Sequence, residues 1–317
     1  MPIIHHNLFR AHVALFLVNL IYGINYVVGK EVVPMYIKPF GMIVIRAGLT
    51  ACLFSLTYVW FARQKNTAQL HTKIDKKDIP RLLLCSMCGI TINQMLFFKG
   101  LSLTSPINAS ILMISTPLLT FGVACLLGTE RAGRWQISGI LLGLIGATLL
   151  ILTSNHKAGT TTNSSLIGDI CIFINAISYG TYLVIVKPLM LKYHYLKLIT
   201  YIFWIGFAMV IPFGINEFLD INWTIFTPNI WLCIAFIIFA VTYLTYLLNI
   251  YALDKVHSSI VGAYIYTQPL IAAMLAIGMG KATLGWQHFW AATCIATGVY
   301  WISKKKSPRK QPMATMP

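Results

Sequence analysis

Charge is the scarcest property of this sequence. Only 10% of its 317 residues are Asp, Glu, Lys or Arg, while 57% are hydrophobic; ordinary soluble domains carry about 25% charged residues. That balance excludes a soluble fold, because no surface would remain to hide so much apolar area. Carboxylates are scarcer still. The eight are Glu31, Asp75, Asp78, Glu130, Asp169, Glu217, Asp220 and Asp254, and each maps to a loop or a helix end. A proton-driven pump for cationic drugs needs a carboxylate buried in mid-span, so the reading left in front is uniport or weakly coupled export. No HExxH and no paired aspartates are present, and no catalytic, cofactor-binding or metal-binding residues are expected, which disfavours an intramembrane enzyme. His12 is the one histidine deep enough to consider, and a lone histidine there reads as interfacial or packed. No loop is long enough to be a signalling domain, which sets aside a sensor; a channel would usually build its pore ring from an oligomer. The seven cysteines are odd in number and all lie in apolar runs, so no disulfide framework is implied. Cys85 and Cys88 form a CxxC without a second ligand pair, and read as small buried residues.

Long apolar runs are what the sequence does have. A bilayer core takes about 20 apolar residues per helix, and helices satisfy their own backbone hydrogen bonds in lipid. Runs of that length predict an all-α integral membrane protein with ten transmembrane helices, at 9–29, 39–62, 80–100, 105–127, 135–153, 167–187, 197–214, 228–251, 259–279 and 285–302. The first run is long enough to span rather than to be removed as a signal peptide.

The net charge of +16 resides in short loops and a basic tail, a distribution that sets orientation and contacts anionic lipid rather than nucleic acid. With a cytoplasmic N-terminus, 18 of the Lys and Arg residues face the cytoplasm and five face outside, with Arg46 within helix two. Both termini are therefore expected in the cytoplasm, the protein being multi-pass in a bacterial inner membrane.

The second half of the chain echoes the first. Tyr22-Gly23, Val27 and Lys30 match Tyr179-Gly180, Val184 and Lys187; Pro117-Leu118 matches Pro269-Leu270; Trp135-Gln136 matches Trp286-Gln287. Two copies of a five-helix unit enter the membrane from opposite sides, because five is odd, and so form inverted repeats, a transporter architecture. The expected organisation is a first repeat over 1–153, an extracytoplasmic linker over 154–166, a second repeat over 167–302 and a basic cytoplasmic tail over 303–317.

An ionisable group within a span costs about 2.5–3.5 kcal/mol. Arg46 is the clearest such group, and either pairs with helix-end carbonyls or binds an anion. Neutral polar and aromatic residues lie within the spans: Asn19, Tyr22 and Asn25 in helix one, Asn93 and Gln94 in helix three, Asn175, Tyr179 and Tyr182 in helix six. Helix eight adds Tyr243 and Tyr246, and helix nine Tyr264 and Gln268. Converging, they would line a cavity for a small zwitterion or a polar metabolite with an apolar part; the other reading is interhelical polar glue. Pro117 and Pro269 interrupt helices four and nine and mark hinges or kinks. Gly139 and Gly143 form a GxxxG that permits tight packing or dimerisation, and the expected state is a monomer or homodimer.

With its YG…K endings, Arg46 in helix two and the stretch GTERAGRWQISGILLGLIGATLL over 128–150, the chain resembles the EamA-like family of the drug/metabolite transporter superfamily over residues 9–302. The resemblance implies a ten-helix cavity lined by helices one, three, four, six, eight and nine, in a carrier that exports amino acids or related metabolites by alternating access. The alternative is efflux of drugs or other metabolites. In the second copy Lys281 stands where the first has Glu130, and helix ten lacks the run of glycines.

Overall fold

The computed structural model describes residues 2–64, 73–130, 133–153, 165–253, 264–280 and 285–303. Among the described residues every regular element is helical. In chain order these are α1 (Pro2–Val32), α2 (Pro39–Gln64), α3 (Ile79–Ser86), α4 (Ile92–Leu103), α5 (Pro106–Met113), α6 (Thr116–Leu126) and α7 (Arg134–Thr153). Then follow α8 (Leu166–Lys192), α9 (Tyr195–Leu219), α10 (Pro228–Ala235), α11 (Thr245–Leu253), α12 (Thr267–Gly278) and α13 (Trp286–Ser303). Two π-helical stretches, Met87–Thr91 and Phe236–Leu244, join α3 to α4 and α10 to α11.

Among the described residues, eight helices are long and apolar enough to cross a membrane: Phe9–Val32, Pro39–Arg63, Lys76–Leu103, Pro106–Leu126, Arg134–Thr153, Leu166–Lys192, Tyr195–Leu219 and Pro228–Asn249. They fall on the first eight expected spans within a few residues. The ninth expected span begins in residues outside the described ones and continues as the short apolar helix α12. The tenth coincides with α13. The linker over 154–166, the basic tail and Lys281 lie almost wholly outside the described residues.

The helices pack in recurring pairs: α2 against α9, α7 against α13, α8 against both α4 and α6, and α1 against α11 and α12. Glycine permits the closest approaches. A Cβ on Gly41 would come within 2.9 Å of the Glu217 backbone, and one on Gly214 within 2.6 Å of the Phe40 carbonyl, so α2 and α9 nearly touch. At that crossing Glu217 Oε2 accepts the amide protons of Phe40 at 2.7 Å and Gly41 at 3.0 Å. These two donors have no partner within α2, so a carboxylate at that helix N-terminus is favoured. Beside it the exposed ion pair of Lys38 and Asp220 spans 2.9 Å. The hydrogen bond and the charge of Asp220 raise the lysine's pKa, though such a pair adds little stability.

Between α7 and α13, Gly139 and Gly143 face Gly298, while Gly146 faces Cys294. The GxxxG thus makes a tight packing contact within the chain. Pro117 and Pro269 lie just after helix breaks rather than in helix interiors: α5 ends before a turn at Ile114-Ser115, and Pro117 sits in the first turn of α6. Pro269 likewise sits in the first turn of α12.

Several local features recur 152 residues apart. Gly128 and Gly280 both adopt left-handed backbone, at φ 70° and 66°, which favours glycine. Gln136 Oε1 accepts from Gly133 N at 3.0 Å, and His288 Nδ1 accepts from Gly285 N at 2.9 Å. The residue that repeats the capping role of Gln136 is therefore His288, not Gln287 as the Trp-Gln match suggests.

Candidate functional site

Arg46 lies seven residues into α2, about 10 Å along the axis from Pro39, and is 7% exposed. Its Nε donates to Thr242 Oγ1 at 2.6 Å, and its guanidinium carbon sits 5.4 Å from the centre of the Phe98 ring. Thr242 belongs to the second π-helical stretch and donates its own hydroxyl proton to the Ile237 carbonyl at 2.9 Å, five residues back. Among the described residues no carboxylate pairs with Arg46. Burying a charge in that state costs several kcal/mol.

Among the described residues, five buried oxygens accept no hydrogen bond: Asn25 Oδ1, Thr50 Oγ1, Thr91 Oγ1, Gln94 Oε1 and Asn175 Oδ1. Buried polar atoms are nearly always paired, so their grouping matters. Thr50 is one turn beyond Arg46 on the same face of α2. Asn25 lies one turn before Gly29, which abuts Phe98, and Gln94 lies one turn before Phe98. Because Tyr26 packs on Phe97 and Lys30 reaches Leu101, α1 and α4 run in parallel, which sets Asn25 and Gln94 at one level. Asn175 and Asn93 bond reciprocally, each Nδ2 to the other's backbone carbonyl, at 2.6 and 3.4 Å. That pairing fixes the Asn175 amide and leaves its oxygen as the free end.

Aromatic walls complete the group. Tyr22 lies beside Thr245 and within electrostatic range of Arg46; Tyr179 and Tyr246 are within electrostatic range of Tyr22. All three are partly exposed. Tyr182 stacks on Tyr179 at 6.0 Å and fills the gap left by Gly89, a packing role.

Other expected residues lie elsewhere. Asn19 donates to the Leu15 carbonyl at 2.8 Å and accepts from Gln268 Nε2 at 2.7 Å, while Gln268 Oε1 accepts from Tyr26 at 3.3 Å. This triad ties α1 to α12 as interhelical glue. Replacing Asn19 by Ala leaves a buried amide group unpaired, at about 1–3 kcal/mol. We expect thermal unfolding and transport to decline together; a transport defect at unchanged stability would assign Asn19 to the substrate instead. Tyr264 bonds His12 Nδ1 at 3.0 Å. Tyr243 bonds Thr57 at 2.6 Å and lines a cleft of about 520 Å³ with Trp60, Phe61 and Leu247. Rings of Phe54, Phe203, Tyr243 and Tyr246 pack between that cleft and Arg46.

Thr50, Thr91, Phe98 and Thr242 were not among the expected residues. The spacing of Thr50 from Arg46 is a readable signal. Thr242 gives none, because α-helical periodicity misplaces a side chain within a π-helical stretch. The seven cysteines are free, and no metal-binding group occurs among the described residues.

A family model described as the EamA-like transporter family matches residues 9–152 and 166–304. The chain is 25% identical over 310 residues to the uncharacterized transporter YetK of Bacillus subtilis, covering 96% of this chain and 90% of that one. It is 26% identical over 136 residues to a protein of Streptantibioticus cattleyicolor named a probable terminal-alkyne amino-acid exporter, covering 43% of this chain and 44% of that protein. One solved crystal structure aligns over 92% of this chain and 96% of its own, with a TM-score of 0.58 and 16% identity. At that identity the likeness establishes the fold alone.

Proposed function

This chain belongs to the EamA-like transporter family, and we propose that it is a carrier that exports small zwitterionic metabolites, amino acids or related compounds, by alternating access. The observation that carries the substrate class is Arg46, buried without a described carboxylate over the Phe98 ring, one helical turn from Gln94, whose oxygen accepts no hydrogen bond. A guanidinium calls for a carboxylate. The carboxamide oxygens of Asn25, Gln94 and Asn175 accept only, so they call for an ammonium group. Together they complement the two ends of an amino acid, with Tyr22, Tyr179 and Tyr246 bordering the space for its side chain.

The proposed architecture is ten helices in two inverted repeats in a bacterial inner membrane, with both termini cytoplasmic. The features repeated 152 residues apart support it, as do the matched π-helical stretches and the pairing of α2 with α9 and α7 with α13. In the same sense, Gly23 on α1 packs against Ile271 of α12, and Gly180 on α8 packs against Thr120 of α6.

The test is uptake by proteoliposomes offered a mixture of labelled amino acids. We expect saturable flux, and we expect Tyr179→Ala to reduce it about tenfold, the size of one lost aromatic or hydrogen-bond contact, at unchanged yield of folded protein. Absence of flux for every amino acid overturns the substrate class. Unchanged flux in Tyr179→Ala removes that residue from the site.

A further inference from the structure

Helix ends are where charged residues are expected to reach water, and Asp169 does not. It lies in the first turn of α8 yet is 0% exposed, because α4, α5 and α13 close over it. Asp169 thus lies at a helix end, as its place in the sequence suggests, and is nevertheless buried. Thr104 Oγ1 donates to Asp169 Oδ1. Asn108 Nδ2 lies 3.5 and 3.3 Å from the two carboxylate oxygens, and Asn108 Oδ1 lies 2.9 Å from His288 Nε2.

His288 is held at Gly285, whose N lies 2.9 Å and whose carbonyl lies 3.3 Å from Nδ1. Nε2 faces Asn108 Oδ1, and the Asn108 NH2 group faces Asp169. Thr104 and Asn108 thus both point donors at the carboxylate, an arrangement that favours its ionised form. Lys30 lies on the other side of the same loop, its ammonium donating to the carbonyls of Leu101, Ser102 and Thr104 at 2.9, 3.1 and 2.6 Å. Thr104 therefore links the cation and the anion, its carbonyl to Lys30 and its hydroxyl to Asp169.

Among the described residues, the charged and titratable groups facing this end are Lys30 and its neighbour Glu31 on α1, Lys99 on α4 near Cys171, and His288 on α13. Helices α5 and α6 present no charged residue. The network ties α1, α4, α5, α8 and α13 together at the end of the bundle opposite the 520 Å³ cleft.

We propose that Asp169 is a proton-binding site that latches this end of the carrier: ionised, it holds the helices closed, and taking up one proton from the adjacent medium releases them. The proton adds to a carboxylate oxygen and no other bond is made or broken covalently. The protonated oxygen can no longer accept from both Thr104 and Asn108. Only the consequence for transport rests on the carrier reading.

The experiment reads access, so it needs no substrate. In a variant with the native cysteines replaced, Ile111→Cys places a thiol one turn inward of Asn108. A membrane-impermeant maleimide is applied from the Asp169 side in vesicles, and its rate is normalised to that of the same thiol in the denatured chain at each pH. We expect roughly tenfold faster labelling at about pH 5 than at about pH 8, and equally fast labelling at both in Asp169→Asn. His288→Gln should keep the pH dependence. A rate indifferent to pH overturns the proposal, as does pH dependence that survives in Asp169→Asn or vanishes in His288→Gln. Should Asp169→Asn not fold, Thr104→Val removes one donor and keeps the carboxylate. Labelling at about pH 8 should then rise, and an unchanged rate overturns the latch.

Discussion

Arg46→Met is expected to reduce transport of carboxylate-bearing substrates about a hundredfold while leaving the folded protein as stable as before, or more so. The two effects have one cause. A buried guanidinium with no described carboxylate partner carries a desolvation penalty that packing does not repay, and replacing such groups by apolar residues of similar volume is neutral or stabilising by about 1–4 kcal/mol. Little is orphaned by the change, since the Thr242 hydroxyl keeps its own acceptor in the Ile237 carbonyl. Methionine also packs favourably against the Phe98 ring. A charge-assisted contact to substrate is worth about 1.5–3 kcal/mol, and the upper value corresponds to the hundredfold loss. The checks are flux in proteoliposomes and thermal unfolding in detergent. Arg46→Gln adds a selectivity control, because compounds without a carboxylate should be handled as before. Equal loss for those compounds, or a sharp fall in stability with methionine, would make Arg46 a structural residue.

Gly298→Leu is expected to prevent accumulation of folded protein. A Cβ at this position would stand 2.5 Å from the Gly139 carbonyl and 2.9 Å from Gly143 N, and both are backbone atoms that cannot swing aside. Overpacking costs about 1–3 kcal/mol where side chains can adjust; here two helices must separate. Gly298→Ala should lower the unfolding temperature by several degrees at the same protein length. Gly122 is the matched control: nothing lies within 4 Å of its would-be Cβ, so Gly122→Ala should be neutral or gain about 0.5–1 kcal/mol from helix propensity. If Gly298 and Gly122 respond alike, the close approach of α7 and α13 does not hold in the membrane.

The spans were readable because apolar runs of this length have one solution in lipid, and the eight helices that qualify begin and end within a few residues of the apolar runs. Of the candidate site, Tyr22 and Tyr246 lie within electrostatic range of Arg46 and of Tyr179, while Asn25, Gln94 and Asn175 keep buried oxygens that accept no hydrogen bond. Asn19 and Gln268 instead bond to each other, Asn93 anchors Asn175, and Tyr243 and Tyr264 face other partners. Sequence places a polar residue on a helix but not on the turn of it that meets a neighbour, and the π-helical stretches shift that turn without any compositional mark. The burial of Asp169 was not legible for a related reason. Its position at a helix end is local information, whereas the three helices that cover it come from elsewhere in the chain.

The contact between α2 and α9 also decides what can move. Their backbones meet at Gly41 and Gly214, and Glu217 holds the first amides of α2; sliding one helix past the other would break the carboxylate's grip and drive backbone into backbone. The glycine seam between α7 and α13 is equally unyielding. Mechanically the bundle is two welded beams at its flanks, and any rearrangement has to carry each beam as one piece, leaving the articulation to the helices between them.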